Sequence, residues 1–143
     1  VALVIAQLEA EGKIDMNKQV VEYLPEFART NWDGITMIDA ANMATGLQLE
    51  DTLEAIVDPS SIIVRFFSAE FGAPNPATGQ VDDWLDILKT AEKIEGEEPG
   101  YQFRYSSAVT QVFVKIAESI ENKSWAQIFE ERVTRRPRSR NCR

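Results

Sequence analysis

Residues 99–107 read Pro-Gly-Tyr-Gln-Phe-Arg-Tyr-Ser-Ser. A Pro-Gly turn leads into alternating aromatic and polar residues, and the run ends at Tyr105 with two serines directly behind it. A phenol in that place can move protons. If Ser106 or Ser107 caps a following helix, Tyr105 stands beside the helix N-terminus. The free N–H groups and partial positive charge there favour an anionic oxygen. A neighbouring cation would add to the effect and make the oxygen a usable general base. The competing local reading, and the commoner case, is a half-buried tyrosine whose hydroxyl bonds a loop carbonyl. At least one of Ser106 and Ser107 has the plainer task of N-capping. Neither is preceded by the Gly-x pattern of a nucleophile elbow.

Little else in the 143 residues offers chemistry. There is no histidine, and Cys142 is the single cysteine. An intrachain disulfide, a multi-cysteine zinc site and His-dependent metal sites or triads are thereby excluded. A Ca²⁺ or Mg²⁺ site made of carboxylates alone stays open, although no EF-hand spacing occurs. No cofactor is implied. The carboxylate pairs Asp82/Asp83, Glu97/Glu98 and Glu130/Glu131 point apart on a helix and make poor acid–base dyads, so solvated surface is expected for them.

Charge narrows the partners. The net charge is −8, and the last ten residues, Thr134 to Arg143, hold five arginines and no acid. The remaining 133 residues carry 10 basic and 23 acidic side chains, a net −13. Such a body repels nucleic acid and anionic lipid. The apolar start Val1-Ala2-Leu3-Val4-Ile5-Ala6 is too short to span a membrane and lacks the layout of a signal peptide. It has no N-cap and reads as a helix entered midway. The arginine-rich end reads as a disordered or non-native tail.

The elements that would position Tyr105 are helical. The first helix runs from Val1, with Val1, Val4, Ile5 and Leu8 on one face, and stops at Gly12. Asp15 or Asn17 can cap a short helix with Val20, Val21 and Leu24. Trp32-Asp33-Gly34 reads as a turn. Thr36 and Asp39 approximate a capping box for a helix ending at Gly46. Residues 49–57 are expected to be helical. Ser60 or Ser61 opens a helix with Ile62, Ile63, Phe66 and Phe67 that closes near Gly72. Residues 73–80 form a loop, and residues 81–94 are expected to be a helix burying Trp84, Leu85, Ile87, Leu88 and Ala91. A second loop, 95–100, precedes the helix of Val109, Val112, Phe113, Ile116, Ala117 and Ile120. Ser124 caps a last helix with Trp125, Ile128 and Phe129. Beyond short pieces at Ile35 to Met37 or Phe103 to Tyr105 that could be extended, no segment alternates cleanly with period 2, so the chain is mainly α as it stands.

With these elements placed, residues 99–107 resemble the tyrosine motif of the β-lactamase-related serine hydrolases. That family includes class C β-lactamases, D,D-peptidases, esterases and 6-aminohexanoate-dimer hydrolases. Three further stretches agree in order and spacing. Val1 to Asp15, ending Glu-Gly-Lys-Ile-Asp, is similar to the helix after the family nucleophile. Val20-Val21-Glu22-Tyr23-Leu24-Pro25 and the stretch from Ile35-Thr36 to Met43-Ala44-Thr45-Gly46-Leu47 resemble the segments that follow it. Beyond Tyr105, Thr110-Gln111-Val112, Ala117-Glu118 and Lys123-Ser124 resemble the family's next helix pair.

The resemblance covers residues 1–133 and implies an α+β parent fold, with this helical lobe packed on an antiparallel sheet. It implies an acyl-serine mechanism on a small-molecule ester, amide or lactam. Tyr105 would be the general acid/base and Ser107 would face the substrate. The chain contains no Ser-x-x-Lys; its nearest look-alike is Thr90-Ala91-Glu92-Lys93. The nucleophile motif is expected upstream of Val1, and no Lys-Thr-Gly strand follows residue 133. Ser107 and Val109 stand where Asn is common, and Val114 where Gly is common. Those changes suit an esterase or amide-hydrolase branch better than a β-lactamase. They also motivate a second expectation, a non-catalytic helical interaction module or degenerate paralogue.

Overall fold

The computed structural model describes residues 1–134. The arginines from Arg135 onward and Cys142 lie outside the described residues. The order of elements is α1 (Ala2–Ala10), α2 (Val20–Tyr23), a 3₁₀ turn (Pro25–Phe27), α3 (Met37–Ala41), α4 (Leu53–Val57) and α5 (Ile62–Glu70). There follow α6 (Trp84–Lys89), α7 (Ser107–Glu121), α8 (Trp125–Phe129) and a π turn (Glu130–Thr134). Among the described residues extended pairing is limited to the isolated bridges Gln19–Thr36 and Leu47–Lys93. No helix among them is long and apolar enough to cross a membrane.

The 15-residue α7 is the axis of the lobe. Its apolar positions recur every three to four residues and bury Ala108, Val109, Val112, Phe113, Ile116 and Ala117. Val4, Ile5 and Leu8 of α1 and Ile128 of α8 join the same core. A buried Val, Ile or Phe side chain contributes about 1.5–3 kcal/mol. The Ser106 cap contributes about 1 kcal/mol, so packing, more than capping, holds α7 in place. Asn122, in the left-handed conformation at φ 51°, ends α7 and turns the chain into α8.

The N-caps follow the sequence at Thr36, Ser61, Ser106 and Ser124. Other boundaries differ. Gln19, and neither Asp15 nor Asn17, precedes α2, with its N–H donating to Glu22 Oε2 at 2.9 Å. The Asp15 carboxylate instead accepts the Asn17 N–H within a turn. The α3 helix stops at Ala41, short of Gly46, because Met43 enters the left-handed region at φ 55°.

Residues 49–57 are helical only from Leu53, where Thr52 supplies the cap. Leu49 is buried in extended chain ahead of it. The helix expected over 81–94 shrinks to α6. Asp83 caps it, its Oδ1 accepting from Leu85 N at 2.9 Å, while Asp82 accepts from Asn75 Nδ2 at 2.8 Å. Beyond Thr90 the backbone pairs elsewhere: Gln48 N donates to Glu92 O at 2.8 Å and Ile94 N to Gly46 O at 2.9 Å. A helix there would forfeit those bonds.

Trp32, expected in a turn, is fully buried, stacked on Phe27 with ring centroids 4.6 Å apart. Its Nε1 donates to Leu88 O at 2.9 Å. The turn reading describes the backbone, and the side chain belongs to the core.

The far end of the lobe is closed by ions. Arg132 donates to both Glu11 oxygens at 2.7 and 2.9 Å and to Glu121 Oε2 at 2.9 Å. Lys13 Nζ donates to Glu121 Oε1 at 2.6 Å and lies 3.1 Å from Glu11 Oε2. Arg132, then Lys13, lowers the Glu11 carboxyl from its ordinary 4.5 to about 2. Lys13, with a smaller contribution from Arg132, lowers Glu121 as well.

Both carboxyls are thus more acidic folded than unfolded, so their stabilisation is present above about pH 4.5 and fades as pH falls towards 2. Arg132→Gln should therefore lower the urea midpoint at about pH 6, and the gap to the parent should close near about pH 2. An equal gap at both pH values would contradict this origin.

Candidate active site

Tyr105 is reached through a strap, residues 97–105, laid across the turn that follows α3. Gly100 N donates to Ala44 O at 2.7 Å, and Arg104 N to Met43 O at 2.7 Å. Gly100 has φ 85°, and a Cβ there would come within 2.9 Å of Asp39 Oδ1. Glycine is therefore the residue that lets the strap lie this close to α3. Arg104 fastens it from the side chain. Its guanidinium donates to both oxygens of Glu97 and, at 2.8 Å, to Glu50 Oε2. Arg104 in turn lowers the Glu97 carboxyl below its ordinary range.

The strap delivers the chain to α7. Ser106 is buried, and its hydroxyl accepts from Val109 N as the N-cap. Tyr105 therefore stands one residue ahead of the cap. Its side chain is 55% exposed, and its phenol oxygen makes no hydrogen bond among the described residues. The loop-carbonyl partner of the competing sequence reading is not present. Tyr101 and Phe103 share this exposure, so the three alternating aromatics leave the strap towards solvent. The guanidinium of Arg104, the nearest cation in sequence, faces Glu97 and Glu50.

Ser107 is the first residue of α7. Its hydroxyl donates to Asp51 Oδ2 at 2.5 Å and its N–H to the same oxygen at 3.1 Å. Asp51 N donates to Tyr105 O at 2.9 Å. The structure thus brings together Tyr105, Ser107 and Asp51, the last of which local sequence does not flag. Residues 51 and 107 are 56 positions apart, and no spacing rule reaches that far.

The remaining candidates are spent on structure. Glu97 binds Arg104, Glu131 binds Lys123, and Thr90 of the Ser-x-x-Lys look-alike donates its hydroxyl to Ile87 O. Among the described residues no group of three or more Cys, Asp or Glu is placed to hold a metal ion.

Beside the strap an apolar groove of about 420 Å³ runs between α1 and α7, lined by Val1, Ile5, Met16, Met43, Thr110 and Phe113 among others. Met43 links the two features, since its carbonyl receives the Arg104 N–H. A mostly apolar cleft with few polar groups suits a small organic ligand. Sequence reading does not find it, because its walls come from separate elements.

Residues 1–139 match the model of the Beta-lactamase family. A 6-aminohexanoate-dimer hydrolase of Paenarthrobacter ureafaciens is 31% identical over 117 residues, covering 82% of this chain and 28% of that protein. A solved structure described as a 6-aminohexanoate-dimer hydrolase from Bacillus anthracis superposes with a TM-score of 0.74 at 21% identity. The superposition covers 92% of this chain and 34% of the other. A D-stereospecific amidohydrolase from Streptomyces sp. gives a TM-score of 0.66 at 21% identity, over 94% and 38% of the two chains. The chain thus spans about a third of the length of the relatives it matches.

Proposed function

This chain belongs to the beta-lactamase family, and we propose that residues 1–133 are the helical lobe of a longer serine hydrolase. The longer protein cleaves an ester, amide or lactam bond through an acyl-serine intermediate. One observation carries the assignment of Tyr105. Its phenol is exposed and unbonded, while its backbone is fixed at the entrance to a buried helix. What sets Tyr105 apart from the likewise exposed Tyr101 and Phe103 is its backbone, fixed directly ahead of the α7 cap. The 31% identity to a 6-aminohexanoate-dimer hydrolase supports an ester or amide substrate.

In this mechanism the nucleophilic serine and its assisting lysine come from outside these residues. The lysine takes the phenol proton, so that the Tyr105 oxygen accepts the serine proton as the serine oxygen bonds the substrate carbonyl carbon. Tyr105 then protonates the departing nitrogen or oxygen as the scissile bond breaks. Water repeats the sequence in reverse and frees the serine. Ser107, two residues beyond Tyr105, is assigned to the substrate side. The 143-residue chain by itself is inactive, having no serine and lysine in the Ser-x-x-Lys pattern.

A fluorophosphonate probe tests the proposal by intact mass. The longer protein should hydrolyse p-nitrophenyl acyl esters and gain one covalent adduct, and the 143-residue chain should gain none. An adduct on the short chain, or ester turnover by the longer protein with no adduct, would overturn it.

A further inference from the structure

We infer that Asp51 is a positioning residue for Tyr105, gripping the backbone on both sides of the helix cap; this rests on the role proposed above for Tyr105. The phenol itself is held by no hydrogen bond among the described residues, so its direction depends on the backbone at 105. Asp51 controls that backbone from two directions. Its N–H donates to the Tyr105 carbonyl at 2.9 Å. Its Oδ2 accepts the Ser107 N–H at 3.1 Å and the Ser107 hydroxyl at 2.5 Å. Ser106, between them, turns its hydroxyl inward to Val109 N at 3.4 Å. The preceding residue, Glu50, binds Arg104 at 2.8 Å. Two adjacent residues, 50 and 51, therefore secure 104, 105 and 107.

A second observation sets Asp51 apart from an ordinary helix-start carboxylate. Its Oδ1 is buried with no hydrogen-bond partner among the described residues. An acceptor oxygen left unpaired in the interior is costly. A carboxylate serving only the α7 N-terminus could turn that oxygen to water. Asp51 instead aims Oδ2 at both Ser107 donors. The grip matters because proton transfer needs the phenol oxygen within hydrogen-bond reach of its partner, and a displacement of about 1 Å costs about 100-fold in rate.

The test uses the longer protein with p-nitrophenyl acyl ester, comparing Asp51→Ala, Asp51→Asn, Ser107→Ala and Tyr105→Phe. Asp51→Ala should lower kcat by about 100-fold with KM within about threefold. Asp51→Asn keeps the shape and an acceptor and should recover most of that loss. Ser107→Ala, which removes one of the three bonds, should cost about 3–10-fold in kcat. A merely structural Asp51 would shift the urea midpoint in these variants and leave kcat of the folded enzyme alone.

A folded Asp51→Ala protein with unchanged kcat would overturn the inference. Should Asp51→Ala fail to fold, unchanged kcat in Ser107→Ala would overturn it equally. Tyr105→Phe separates the two levels. If it abolishes turnover while the Asp51 variants do not, only the positioning role falls. If it retains full turnover, the reading of Tyr105 falls with it.

Discussion

Tyr105→Phe in the longer protein should lower kcat for ester hydrolysis by about 10²–10⁴-fold, the range expected when a general acid/base is removed. The substitution deletes one oxygen and its proton and keeps the ring. That oxygen carries no hydrogen bond among the described residues, and the side chain is 55% exposed. Stability should therefore move by no more than about 0.5 kcal/mol. In the proposed acyl-serine cycle each transfer passes through the phenol, so acylation and deacylation should both slow. A fluorophosphonate adduct should still form, more slowly, because the serine remains. The combination of unchanged thermal midpoint and collapsed kcat is the signature. Full turnover in the Phe variant would remove Tyr105 from the mechanism.

The second large effect concerns the fold. Trp32→Ala in the 143-residue chain should cost about 3–5 kcal/mol, the usual range for emptying a buried aromatic site. Three losses converge there. The indole is fully buried, so its apolar surface returns to water in the unfolded reference and leaves a void in the folded state. Its stack on Phe27 disappears, and Leu88 O loses the Nε1 donor at 2.9 Å. The neighbouring Asn31 Nδ2 still reaches Ala91 O at 2.9 Å, so the turn stays tethered to the end of α6 and cannot simply swing in to fill the space.

Domains of this size are stable by about 5–15 kcal/mol, and the loss is a large share of that. Urea unfolding followed by circular dichroism measures it. Trp125→Ala, at a half-buried position on α8, supplies the comparison and should cost clearly less. A Trp32→Ala midpoint indistinguishable from the parent would contradict the placement of this side chain.

Sequence legibility tracked the range of the forces involved. Thr36, Ser61, Ser106 and Ser124 are readable as caps because a cap is satisfied within three residues. The α7 stripe is readable because its period is internal to the helix. The ends at Gly12 and Gly72 were readable too, but the lengths of α3, α4 and α6 were not. The stretch after Thr90 has helical character, but Glu92 and Ile94 pair with Gln48 and Gly46.

The same split governs the site. Tyr105 stands out through its neighbours and through the resemblance of residues 99–107 to a known motif. Asp51 and Met43 do not, since their relevance exists only once the strap is down. Trp32 shows a local pattern that is right about the main chain and silent about the side chain.

The strap also bears on how the molecule is made. Its ties join residues 43–51 to residues 92–107, and α1 packs on α7 across most of the chain. Each tie closes a long loop before any bond rewards it. A bundle of short helices with neighbouring partners would assemble quickly, whereas these ties set only after long loops have closed, which slows that step. The segment around Tyr105 is then among the last to set. During that interval Tyr101, Phe103 and the unpaired backbone of the strap stay open to other chains, so a chaperone acting on this protein would meet the future site before the finished one.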